Sequence, residues 1–210
     1  MIYHPKTLFA LCLIGFCTSF SPIIAQAPPQ PWKKIKEIDQ YTVYTRSSNL
    51  SSVKEIKIEA SFDVNVAHFM EVLNNVPAYT DWVYKCSQAH RLKTIGEHEY
   101  IYYLISDIPF PLKDRDIVIH SKQWFDPAIQ GYRAKSVALP AFISQNPNMV
   151  RVPLLQSLWE IRPVNDKQVD IVYQILTEPG GKIPAWMVNM AIANGPIHTM
   201  KELALYLKEN

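Results

Sequence analysis

Groups able to catalyse or to bind a metal are dispersed along this 210-residue chain. The six histidines are His4, His68, His90, His98, His120 and His198, and none forms a two-histidine metal spacing. Glu97, His98 and Glu99 read as the solvated start of a strand. There is no Gly-rich phosphate loop and no nucleophile elbow. Gly180-Gly181 stands before a helical pattern, but no G-x-G precedes it, so it reads as a tight turn rather than an anion cradle. The acid–base candidates reduce to Asp116 and Glu160, which alternation places on polar strand faces.

One charged residue asks for an explanation. In the segment from Arg115 to Phe125, a period of two puts Arg115 on the face of Ile117, Ile119 and Phe125. Asp114, Asp116, His120 and Lys122 fall on the other face. A guanidinium on an apolar face must be paired or must meet an anion. Arg115 is therefore either a core arginine bound to a protein carboxylate or the inner end of a ligand cavity. The neighbouring segment Glu99 to Asp107 carries Tyr100, Tyr102 and Leu104 on one face and Ile101, Tyr103 and Ile105 on the other. A strand apolar on both faces is covered on both sides. Its tyrosines suit plain packing or the wall of an amphiphile site.

The elements that position these residues follow from periodicity. Tyr41 to Thr45 and Glu55 to Phe62 alternate as strands, and Asn65 to Val76 changes to helical spacing before Pro77. Tyr79 to Trp82 fits a short second helix, and Trp32 to Ile38 one or two helical turns. Six strands follow, at 87–95, 99–107, 115–125, 131–139, 154–162 and 168–177, bounded by Pro, Gly or Asn-Asp turns. A long helix then runs from Ile183 to Lys208, with Pro184 near its first turn. Trp186, Met190, Ala193, Ile197, Met200, Ala204 and Leu207 form its apolar stripe. Gly195-Pro196 predicts a kink, and the helix is either a simple cover or a bent lid over a tunnel walled in part by Met187 and Met190. Consecutive strands without alternating helices give an antiparallel sheet in an α+β helix-grip arrangement.

Composition agrees with one folded domain: 48% hydrophobic residues, 19% charged and a net charge of +2. Disorder and nucleic-acid binding are not expected of such a chain. Residues 1–27 read as a secretory signal peptide, with Lys6, an apolar run from Thr7 to Phe20 and small residues to Ala27. The alternative is an uncleaved anchor, although a spanning helix needs about 20 apolar residues. Cleavage falls after Ala25 or Ala27. A Pro-rich leader at 28–31 precedes the domain at 32–210, and the destination is the periplasm or the outside of the cell. Loss of Cys12 and Cys17 with the peptide leaves Cys86 alone, read as a small buried hydrophobe.

Four segments resemble one family. Residues 108–116, IPFPLKDRD, look like the "PFP…RD" segment of START domains, the lipid-transfer family related to the steroidogenic acute regulatory protein. Residues 178–189, EPGGKIPAWMVN, look like its "PGG.IP.W..N" entry to the last helix. Tyr79-Thr-Asp-Trp82 with Cys86, and Lys54-Glu55, match its "Y..W…C" and "KE" positions. The order and spacing agree from about Trp32 to the C-terminus, with the subgroup of phosphatidylcholine transfer protein nearest. The resemblance implies a curved antiparallel sheet wrapped around a long C-terminal helix, with an internal hydrophobic tunnel for one lipid or sterol-like molecule. It implies transient membrane contact and no cofactor or catalysis. An enzyme on the same scaffold, cyclase- or hydrolase-like, is the alternative. In several members the Arg of "RD", here Arg115, lies in the tunnel. The ligand-binding set expected here is Arg115, Tyr100, Tyr102, Ile117, Trp159, Trp186, Asn189 and Met190. One departure is that well-known members are eukaryotic and cytosolic, whereas this chain is expected to be a bacterial secreted one.

Overall fold

A computed structural model describes Met1 and residues 30–210, so the expected signal peptide lies outside the described residues apart from Met1. The alternating segments form β1 (Lys33–Ile38), β2 (Tyr41–Arg46), β3 (Glu55–Phe62), β4 (Cys86–Gly96), β5 (Glu99–Ser106), β6 (Arg115–Asp126), β7 (Gly131–Ala138), β8 (Val150–Arg151), β9 (Leu154–Asn165) and β10 (Gln168–Glu178). They make one 10-stranded sheet in the order β1-β2-β3-β10-β9-β7-β6-β5-β4. All neighbours on that path are antiparallel, and β8 alone pairs in parallel, with β6. Three register shifts along β4 against β5 bend this edge of the curved sheet.

The helices cover the concave face. Helix α1 (Val66–Asn74) starts where Asn65 Oδ1 accepts the backbone N–H of His68 at 2.8 Å, and it buries Phe69, Val72 and Leu73. A 3-10 turn at Val76–Ala78 leads into α2 (Tyr79–Trp82). Helix α3 (Ala185–Ala191) is followed by α4 (Asn194–Glu209). Helix α4 buries Ile197, Met200 and Leu203, each worth about 1.5–3 kcal/mol of apolar transfer. The Tyr41 hydroxyl donates to the Met200 carbonyl at 3.1 Å, tying α4 to β2.

Three expectations change. Residues 33–38 are an edge strand rather than helical turns. A two-residue turn, with Asp39 at φ 53°, joins β1 to β2, and the lysines of β1 face solvent, as suits an exposed edge. The segment 139–153, which carries no alternation, contributes β8. The last helix is two helices, broken at Ile192–Ala193 rather than kinked at Gly195-Pro196. Pro196 becomes the third residue of α4, where its missing N–H is one of the four unpaired donors of a helix start. Pro184 is the N-cap of α3.

The turn into α3 needs glycine. Gly180 and Gly181 have φ of 68° and 71°. A Cβ on Gly180 would sit 3.1 Å from the Arg151 carbonyl, and one on Gly181 would sit 3.6 Å from the Arg115 guanidinium.

Candidate lipid site

Between the concave face of the sheet and α3 and α4 lies a cavity of about 560 Å³. Register builds its wall row by row. Tyr100, Ser121, Ser136 and Ser157 stand opposite one another across β5, β6, β7 and β9. The next row is Gln123, Ala134, Trp159 and Tyr173. Ile117, Ile119, Tyr102, Leu104 and Leu155 complete the apolar sheet wall, and Val188, Ala191 and Ile192 cover it from the α3 side. Lys54, Tyr84, Leu112 and Met187 both line the cavity and reach solvent, so they form its rim.

The interior is neutral. Among its lining residues Lys54, at the rim, is the only one of Lys, Arg, Asp, Glu or His. The inner hydroxyls are largely committed to the protein. Tyr79 and Tyr100 donate to the Leu73 carbonyl at 2.6 and 3.2 Å, and Ser136 donates to Ser121 at 3.1 Å. Gln123 Nε2 donates to the Tyr100 oxygen at 3.4 Å. Burial pushes the phenols of Tyr79, Tyr102 and Tyr173 up, because a phenolate there would lose its hydration.

Four of the eight residues expected from sequence line this cavity: Tyr100, Tyr102, Ile117 and Trp159. The other four stand elsewhere. Arg115 does face inward and is 3% exposed, but its guanidinium donates to the carbonyls of Lys113 and of Pro179, the latter at 3.2 Å. Among the described residues it has no carboxylate at salt-bridge distance. It is therefore neither a core ion pair nor a cavity-lining group. Instead it clasps the 107–114 loop to the turn before α3, the two segments flanking the cavity rim. Burial holds its pKa below the usual guanidinium range, with Asp114 opposing.

Asn189 is a tether. Its Oδ1 accepts the Lys54 N–H at 2.9 Å, and its Nδ2 donates to the Ser52 carbonyl at 3.1 Å. Trp186 and Met190 are 63% and 78% exposed. The break after α3 resets the helical phase, so Met187, Val188 and Ala191 face the cavity in their place.

The two acid–base candidates lie outside the cavity. Asp116 pairs with Arg151 through contacts of 2.8 and 3.1 Å on the opposite face of β6. This face is not polar there, because the 139–152 segment covers it, and Arg151 also donates to the carbonyls of Pro140, Ile143 and Ser144. Glu160 meets Arg133 at 3.0 Å and Arg162 at 2.7 Å. Sequence reasoning missed Ser121, Gln123, Ser136, Ser157 and Tyr173. The parity that turned Arg115 inward also turns Ser121 and Gln123 inward, so that signal was present.

A curved antiparallel sheet gripping a C-terminal helix around an apolar cavity defines the helix-grip fold. The family model named START domain matches residues 25–210, and the chain belongs to that family of lipid-binding and lipid-transfer domains. An uncharacterized protein of Pseudomonas aeruginosa is 29% identical over 86% of this chain and 89% of its own length. Phosphatidylcholine transfer protein of Rattus norvegicus is 24% identical over 82% of this chain and 81% of its own. Among solved structures, a STAR-related lipid transfer protein fragment from Xanthomonas axonopodis aligns with a TM-score of 0.78 at 26% identity, covering 84% of this chain and 98% of that one. Likeness of fold alone extends to the Zhui aromatase/cyclase of a Streptomyces species, with a TM-score of 0.52 at 14% identity, covering 73% and 93% of the two chains.

Proposed function

We propose that this chain carries one lipid in the cavity without chemical change and exchanges it at a membrane surface. The observation that carries the reading is a largely apolar cavity, open at its rim, in which Lys54 at that rim is the one lining residue of Lys, Arg, Asp, Glu or His among the described residues. Burying a chain there yields about 0.8 kcal/mol per CH₂. General acid–base work needs titratable groups converging on the substrate, and Asp116 and Glu160 are held by arginines outside the cavity. The START relationship supports the same reading.

Membrane exchange has its own support. Phe110, Trp186 and Met190 are 95%, 63% and 78% exposed, on the two segments that also supply the rim residues Leu112 and Met187. Apolar side chains presented around a cavity mouth suit brief insertion between lipid headgroups. Replacing Phe110 and Trp186 together with Asp is expected to slow transfer of a fluorescent lipid between vesicles at least tenfold, with lipid capacity kept. Unchanged transfer would contradict membrane docking through this rim.

Residues 1–27 are proposed to direct export, which the pattern of Lys6, the apolar run and Ala25 supports. N-terminal sequencing of the protein recovered from the periplasm or medium is expected to begin at Gln26 or Pro28. Full-length protein confined to the cytoplasm would contradict export.

A further inference from the structure

We propose that Asn189 is the latch that holds α3 closed over the cavity, so that its two hydrogen bonds set the rate at which lipid enters and leaves. This rests on the carrier reading above and assigns a kinetic role beside the same site.

The first observation is how lightly α3 is held. The helix covers the cavity through Met187, Val188 and Ala191, yet none of its 7 residues is buried and none is charged. Among the described residues, Asn189 makes the only hydrogen bonds from α3 to chain beyond its own two ends. Gly180-Gly181 precedes α3, and the break at Ile192–Ala193 separates it from α4. The helix can therefore swing without carrying α4 with it.

Its surroundings are anchored. Helix α4 buries Ile197, Met200 and Leu203, and its Thr199 Oγ1 accepts the Tyr84 N–H at 3.1 Å. Arg115 holds the Pro179 carbonyl ahead of α3. On the far side of the latch, Val53 is buried, and Ser51 Oγ accepts the Val53 N–H at 2.9 Å while donating to Glu178. Asn189 thus joins the least anchored cover of the cavity to a fixed seat.

The second observation is the chemistry of the contact. A carboxamide presents an acceptor and a donor side by side, as a peptide group does. Oδ1 takes the Lys54 N–H and Nδ2 gives to the Ser52 carbonyl, as a neighbouring strand would. Ser52 and Lys54 are exposed, so water replaces both bonds when α3 lifts, and the latch opens at small cost. Asn189 does not line the cavity, so it acts on the lipid only through α3. Such a latch changes rates rather than affinity. Where α3 is closed with and without lipid, weakening the latch speeds entry and exit by one factor.

The test follows Nile red, an uncharged apolar dye, into and out of the full mature protein by stopped-flow fluorescence. Asn189→Ala should raise the association and dissociation rate constants together by about tenfold, with Kd within roughly twofold of the unmodified protein. The pair Ser52→Cys with Asn189→Cys should behave likewise while its thiols are free. Bridging that pair with dibromobimane should slow both rates to about a tenth of the unmodified protein's or less. The buried Cys86 leaves the reagent to the new pair. Bridged against unbridged protein decides the matter should Asn189→Ala fold poorly. Unchanged rates in Asn189→Ala, a bridged pair as fast as the unbridged one, or a pair the reagent fails to bridge overturns the latch and leaves the carrier reading intact. Faster dissociation alone, with affinity lost, overturns it too, because that marks a ligand contact or a damaged wall. No dye uptake by the unmodified protein overturns both.

Discussion

Replacing Arg115 with methionine separates a clasp from a ligand contact. The side chain keeps an apolar body of similar reach and loses the guanidinium. Two hydrogen bonds from a charged donor disappear, to Lys113 and Pro179. Each is worth about 1.5–3 kcal/mol before offsets. Two offsets reduce the sum. The variant no longer buries a cation, and Lys113 lies on an exposed loop where water can replace the lost donor. A net destabilisation of about 2 kcal/mol follows, or a fall of roughly 4–8 °C in Tm for a domain of this size. Urea titration followed by circular dichroism measures it. Amide exchange should quicken in 107–114 and 179–184 more than elsewhere. Lipid occupancy at saturation should be unchanged, because Arg115 does not line the cavity. An unchanged Tm together with loss of bound lipid would refute the clasp and restore Arg115 to the ligand.

Further expectations follow from the same geometry. Arg151→Met leaves Asp116, 1% exposed, without its cation and should cost about 3–5 kcal/mol, clearly more than Arg115→Met; equal losses would contradict the distinction. Ala134→Phe projects a ring into the cavity and should abolish lipid uptake with little loss of Tm, whereas normal uptake would place the ligand elsewhere. Burial raises the phenols of Tyr79, Tyr102 and Tyr173, so above pH ~10 the unfolded chain loses protons that the folded one keeps. Stability should then fall with rising pH by up to about 4 kcal/mol per unit, three groups at ~1.4 each, readable by urea titration between pH 10 and 12. Burial pushes the Cys86 thiol up to about 11. It should react with iodoacetamide at pH 8 at least about a hundredfold more slowly than an exposed cysteine, until the protein is unfolded.

Much of this fold could be read from the sequence, because a period of two in residue type or burial marks strands such as β3 and β6. The segments from Ile56 to Phe62 and from Arg115 to Gln123 each bury one face through the whole cavity wall, and their parity survives into the structure. What could not be read depends on tertiary partners. Residues 33–38 gain strand geometry only by pairing with β2 at an edge, which no buried face announces. Asp116 is on the face that alternation assigns it, but only the 139–152 segment, with no pattern of its own, turns that face into an interior. The stripe from Trp186 to Leu207 presumes one unbroken helix. Two residues of break leave Ile197 and Met200 buried and turn Trp186 and Met190 outward. At the site, attention to the one charged inward residue concealed the uncharged polar ones beside it. Arg115 lies at the end of β6, where an inward side chain meets loops, while Ser121 and Gln123 lie further along the same face and reach the cavity.

Everything proposed depends on the cavity holding a lipid in the native protein. Native mass spectrometry of protein purified from its own host, paired with organic extraction of the same sample, answers that. The account predicts one bound lipid per chain, released by the extraction and absent from Ala134→Phe prepared identically. A mass equal to the bare polypeptide, with no uptake after incubation with host lipids, would contradict it.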